Sequence, residues 1–73
     1  MNNKFKLLSL LLTLNATNID KAVEVDKLLN LGLALSELES LTKELLKDNL
    51  ILSKDGAYYL SPSGLLAALS IFS

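Results

Sequence analysis

Two short apolar runs, Leu50–Ser53 and Ala57–Leu60, flank Lys54-Asp55-Gly56. An Asp-Gly pair between such runs is a strong short-range hairpin signal, because Gly56 tolerates the positive φ that a tight turn demands. The hairpin falls late in a chain whose other segments mostly repeat their leucines at helical spacing. The expected fold class is therefore α+β, mostly α. A chain of 73 residues leaves room for one domain, expected over residues 1–73.

The first helix is expected over Lys4–Leu14. Leu7, Leu8, Leu10, Leu11 and Leu14 share one broad face, with Lys6, Ser9 and Thr13 opposite. Phe5 and Leu12 widen the apolar arc past half the circumference, whereas a surface helix needs only about 100°. Asn15–Asn18 is turn chemistry, and Ala22–Val25 alternates as a short strand. Asp26 suits the N-cap of a second helix over Lys27–Leu31, and Gly32 supplies the left-handed residue that ends it. Leu33 and Leu35 are expected to plug the core. Ser36 and Glu39 have capping-box spacing ahead of a third helix that runs to Asp48. Its core stripe is Leu38, Leu41 and Leu45, and Asn49 takes the left-handed position after it. Ser61 caps a last helix over Pro62–Ile71, with Pro62 at the first position, where a missing N–H costs nothing. That helix is expected to turn Leu65, Ala68, Leu69 and Phe72 to the core and Ser63, Gly64, Ala67 and Ser70 outward.

Composition removes several classes of function. About half the chain is apolar and 21% is charged, which excludes intrinsic disorder. There is no cysteine and no histidine, so disulfides, thiolate metal sites and the commonest general base are absent. No Gly-rich phosphate loop or convergent carboxylate set is present. The expectation is no enzyme, no cofactor and no metal. The longest apolar stretches, Leu7–Leu14 and Leu65–Phe72, fall short of the roughly 20 residues a membrane span requires. Lys4, Phe5 and Lys6 before a leucine run outline a signal peptide, but no small-x-small cleavage site follows. A cytoplasmic protein without a membrane partner is expected.

The order helix, short strand, helix, turn, helix, β-hairpin, helix resembles a winged helix-turn-helix domain. The residues carrying the resemblance are Val23–Leu29, Leu33–Ser36, Leu45–Ile51 and Tyr58–Leu66. The run Tyr58-Tyr59-Leu60-Ser61-Pro62-Ser63-Gly64 is similar to the Y-x-L-T-x-x-G that closes the wing in many small bacterial and archaeal transcriptional regulators. The resemblance implies a three-helix core, a short strand plus a hairpin wing, and a further helix. It implies that Ser36–Asp48 is a recognition helix and Ser53–Ala57 a wing tip. The residues that would meet double-stranded DNA are then Ser36, Ser40, Lys43 and Lys47 on the third helix, Lys54 in the wing and Lys27 on the second helix. Lys4 and Lys6 are further candidates for phosphate.

Two readings stay open. The first is a DNA-binding transcriptional regulator acting as a homodimer. All seven basic residues are lysines against eight acids, so one copy offers few phosphate contacts and two copies would double them. The second is a docking or assembly module that binds a protein partner and no nucleic acid. The missing arginine and the acids at 37, 39, 44 and 48 favour it, since arginine makes the commonest base contact. Self-association is expected on the first and last helices, through the small face of the last that carries Ala67 and Ser70, because the last helix carries no charge and the first has surplus apolar arc.

Overall fold

The computed structural model describes residues 3–71. It contains four α-helices and three strands: α1 (Asn3–Thr13), β1 (Val23–Glu24), α2 (Val25–Asn30), α3 (Leu35–Lys47), β2 (Ile51–Lys54), β3 (Ala57–Leu60) and α4 (Pro62–Ile71). A single 3₁₀ turn, Ile19–Lys21, precedes β1 and is capped by Asn18, whose Oδ1 accepts from Asp20 N at 3.0 Å. The fold class is α+β, mostly α, as expected. No helix among the described residues is long and apolar enough to cross a membrane.

The hairpin forms where Asp55-Gly56 places it. Asp55 and Gly56 both have positive φ, 52° and 82°. Two successive left-handed residues match the right-handed twist of the flanking strands. The sheet is antiparallel in the order β1-β3-β2, with Val23 opposite Tyr58 and Ile51 opposite Leu60. β1 thus reaches across the chain to the far side of the hairpin.

One leucine-rich core holds the elements together. Leu7, Leu8 and Leu11 of α1, Leu28 of α2, Leu38 and Leu45 of α3, Ile51 and Leu60 are almost completely buried. At about 1.5–3 kcal/mol for each fully buried large apolar side chain, these eight supply much of the gross driving force.

Three helices end by the same device. After α1, Asn15 is left-handed (φ 58°), and Ala16 N donates to Leu11 O at 2.9 Å. After α2, Gly32 is left-handed (φ 108°), and Leu33 N donates to Leu28 O at 3.4 Å. After α3, Asn49 is left-handed (φ 59°), and Leu50 N donates to Leu45 O at 2.9 Å. Each is a Schellman closure, in which an apolar residue just past the helix returns over a leucine three positions inside its end. Leu11, Leu28 and Leu45, the three acceptors, all have no exposed surface.

Four local expectations are corrected. β1 runs directly into α2, so Glu24 (φ −72°, ψ 151°) is its N-cap and Asp26 lies in the first turn without capping. There its carboxylate still meets the positive end of the helix dipole. The Ser36–Glu39 capping box does not form: α3 starts at Leu35, with extended Ala34 as N-cap and no side-chain cap bond. That earlier start turns Leu35 to solvent, 54% exposed, while Leu33 fills the core alone. α4 is rotated from its expected orientation. Gly64 and Ala68 face inward, Ala67 is half-buried, and Leu66 and Leu69 point out at 71% and 49% exposure. Phe72, expected on the inner face, lies outside the described residues.

The rotation of α4 has a cause at its first turn. A Cβ on residue 64 would stand 2.7 Å from the Leu50 carbonyl carbon and closer still to its oxygen. Only glycine lets the backbone of α4 lie this close to the chain leaving α3. The same junction is stitched by Ser61, whose hydroxyl donates to Asn49 O at 2.6 Å and accepts from Gly64 N at 3.0 Å. Ser61 N donates to Leu50 O at 3.2 Å. The carbonyls of Asn49 and Leu50, just past α3, therefore meet the N-terminal end of α4, where the helix dipole is positive.

Candidate nucleic-acid interface

α3 presents two unlike faces. Leu38, Leu41, Thr42 and Leu45 are buried, and the Thr42 hydroxyl is satisfied by donating to Glu39 O at 3.2 Å. Ser36, Ser40, Lys43 and Lys47 are all exposed on the opposite side. At 100° per residue these four fall within an arc of about 60°, along roughly 16 Å of helix. The expected set therefore shares one face of one rigid element. Exposed Glu39 borders it on one side and exposed Glu44 on the other. The two remaining expected residues stand elsewhere: Lys27 is exposed on α2, and Lys54 is exposed at the end of β2 beside the hairpin turn.

Lys27, Lys43, Lys47 and Lys54 form no ion pair with a carboxylate of the described residues. Even the i,i+4 spacing of Glu39 and Lys43 does not close a pair. These ammonium groups keep their charge available to an external anion. Lys4 is different. Its Nζ lies 3.5 Å from Glu44 Oε1, joining α1 to α3. The pair is partly exposed and contributes on the order of 0.2–1 kcal/mol. It also brings a cation to an acid that borders the α3 face. The wheel of α1 carries a signal for this, because Lys4 falls on the leucine side between Leu8 and Leu11 rather than opposite it.

A second surface lies where α1 packs along α4. Phe5, Lys6 and Ser9 of α1 and Ser70 and Ile71 of α4 line an open, mainly apolar groove of about 500 Å³. Phe5 is 41% exposed and Ile71 38% exposed. Leu66 and Leu69 are exposed on α4 as well. Leu66 sits one turn before Ser70 of the groove wall and so adjoins the groove, whereas Leu69 lies about 160° from Ile71 around the helix and faces away from it.

No group of three or more carboxylates among the described residues is placed to hold a metal ion. No buried side-chain nitrogen or oxygen among them lacks a hydrogen-bond partner. Searches against protein-family models, curated proteins and solved structures give no match to this chain.

Proposed function

We propose that this chain is a small winged-helix DNA-binding protein of the kind that regulates transcription. In this reading α3 is the recognition helix and the β2–β3 hairpin is the wing. The observation that carries it is the outward face of α3, where Ser36, Ser40, Lys43 and Lys47 are exposed along one side while the leucines opposite anchor the helix. The element order and the sheet order β1-β3-β2 support the same reading.

The mechanism is groove insertion. The serine hydroxyls donate to or accept from base edges and phosphate oxygens, and Lys43 and Lys47 neutralise phosphates along the groove wall. Lys54 reaches phosphate from the wing tip and Lys27 from α2. Four lysines releasing counterions give a slope of log K against log salt near −4 for one copy, and about twice that for two copies acting together. The net charge of −1 supplies no long-range steering, so binding rests on these local contacts.

The test is duplex binding at low and moderate salt by the parent and by a Lys43→Glu plus Lys47→Glu variant. Both side chains are solvent-exposed, so circular dichroism of the variant should match the parent. Loss of binding in the variant is the expected result. Unchanged affinity would remove α3 from the interface. A second reading, a protein-docking module without a nucleic-acid role, is favoured by exposed Leu66 and Leu69 on uncharged α4 and by the absence of arginine. No duplex binding by the parent at low salt, where phosphate attraction is strongest, would decide for it.

A further inference from the structure

We infer that Glu39 and Leu35, on one edge of the outward face of α3, determine which base sequence is read. Glu39 accepts a hydrogen bond from the N4 amino group of a cytosine, and Leu35 packs on the methyl group of a thymine about two base pairs away. This rests on the DNA-binding reading and goes beyond it by naming the bases and two residues outside the serine and lysine set.

The two acids that border the face differ. Glu44 meets the Lys4 ammonium at 3.5 Å, whereas exposed Glu39 forms no ion pair among the described residues. A bare carboxylate in a groove walled by phosphates is repelled unless it meets a hydrogen-bond donor. In the major groove only two base groups donate, N4 of cytosine and N6 of adenine. Adenine sets its N7 acceptor beside that donor, so the second carboxylate oxygen would face a lone pair. Cytosine has a C–H at the neighbouring position and suits a group that holds only acceptors. Arginine, asparagine and glutamine, which read guanine or adenine through paired bonds, are absent from α3. Glu39 is therefore the α3 side chain with the narrowest choice of base.

Leu35 begins α3 and is 54% exposed, so its side chain contributes little to the core. It precedes Glu39 by four positions. The two are neighbours on one edge, about 6 Å apart along the helix axis and about 40° apart around it, with Ser36 and Ser40 beside them toward the centre of the face. Both lie in the first two turns, the part of a recognition helix that approaches base edges. An advance of about 6 Å spans about two base-pair steps of 3.4 Å. The thymine methyl is the apolar feature of the major groove, and a leucine can cover it without stranding a polar group.

Selection of bound duplexes from a random pool at low salt, by the parent, Glu39→Gln and Leu35→Ser, tests it. Both side chains are exposed, so the variants should keep the parent's circular dichroism. The parent is expected to enrich a motif holding a cytosine and, about two base pairs away, a thymine. Glu39→Gln should keep the rest of that motif and exchange the cytosine for adenine, because an amide both donates and accepts and so matches N6 and N7. On duplexes differing only at that pair, the preference should change by at least about fivefold. Replacing the thymine by deoxyuridine, which lacks only the methyl, should weaken the parent and leave Leu35→Ser unaffected. An unchanged motif in Glu39→Gln overturns the inference. So does a uniform gain in affinity for every duplex, the result of merely deleting a negative charge. Equal binding of the thymine and uracil duplexes by the parent overturns the part assigned to Leu35. A parent that binds duplex without enriching any motif refutes this inference and leaves the DNA-binding reading standing, whereas a parent that binds no duplex refutes both.

Discussion

Substituting Gly64 by alanine sets two effects of opposite sign against each other. Gly64 lies inside α4, where alanine is the better helix former by about 1 kcal/mol. By propensity alone Gly64→Ala should stabilise. The junction with α3 predicts the reverse. The added methyl would stand 2.7 Å from the Leu50 carbonyl carbon, about 1 Å inside ordinary contact, and the opposing atoms are backbone rather than a flexible side chain. Relief requires α4 to move away from Leu50. That stretches the Ser61 N–Leu50 O bond and the Ser61 hydroxyl bridge to Asn49 O, at about 1 kcal/mol each. Overpacking adds about 1–3 kcal/mol. After subtracting the propensity gain, the net loss is about 2–4 kcal/mol, a large fraction of the stability of a domain this small. At about 4–8 °C per kcal/mol the melting temperature should fall by about 8–32 °C. Thermal unfolding followed by far-ultraviolet circular dichroism, at one fixed protein concentration, reads this directly. A variant melting at or above the parent temperature would show that α4 does not lie against Leu50, and the outward placement of Leu66 and Leu69 would go with it.

Three further outcomes follow from the same geometry. Ser61→Ala removes both the cap to Gly64 N and the bond to Asn49 O, and should cost about 1–2 kcal/mol in chemical denaturation, with Ser61→Thr retaining part of it. Asn49→Gly should hold or raise the melting temperature while Asn49→Ala lowers it by about 1 kcal/mol equivalent, because φ is 59° there; the same order for both would contradict the left-handed closure of α3. Gly56→Val should destabilise by about 1 kcal/mol or more through strain at φ 82°, although a Cβ there meets no neighbour, so an unchanged denaturation midpoint would contradict the tight hairpin turn.

The parts of the fold legible in the sequence are those that local chemistry decides. Asp55-Gly56, Gly32 and Asn49 each require a left-handed backbone, and Ser61-Pro62 is both a cap and a permitted first helical position. The leucine stripe of α3 at 38, 41 and 45 leaves one outward face, so its serines and lysines could be placed from spacing alone. The largest misreading depends on a partner distant in sequence. The orientation of α4 is set by the approach of Gly64 to Leu50, fourteen residues earlier, and against it the hydrophobic wheel chose the larger leucines for the core. The capping box at Ser36 lost to a helix start one residue earlier. The Lys4–Glu44 pair joins residues forty positions apart, so local spacing does not reveal the partner.

The three Schellman closures also bear on how the chain tolerates insertions and deletions. Each leucine that accepts the closing bond, Leu11, Leu28 or Leu45, is five positions before the apolar residue that donates it. One residue added or removed within such a six-residue block would move either the left-handed position or the buried leucine out of phase. Length variation should therefore be concentrated between 17 and 22 and at the hairpin tip, where the backbone leaves the core. A library of single-residue insertions should lose folded protein over 11–16, 28–33 and 45–50 while retaining it in those two windows.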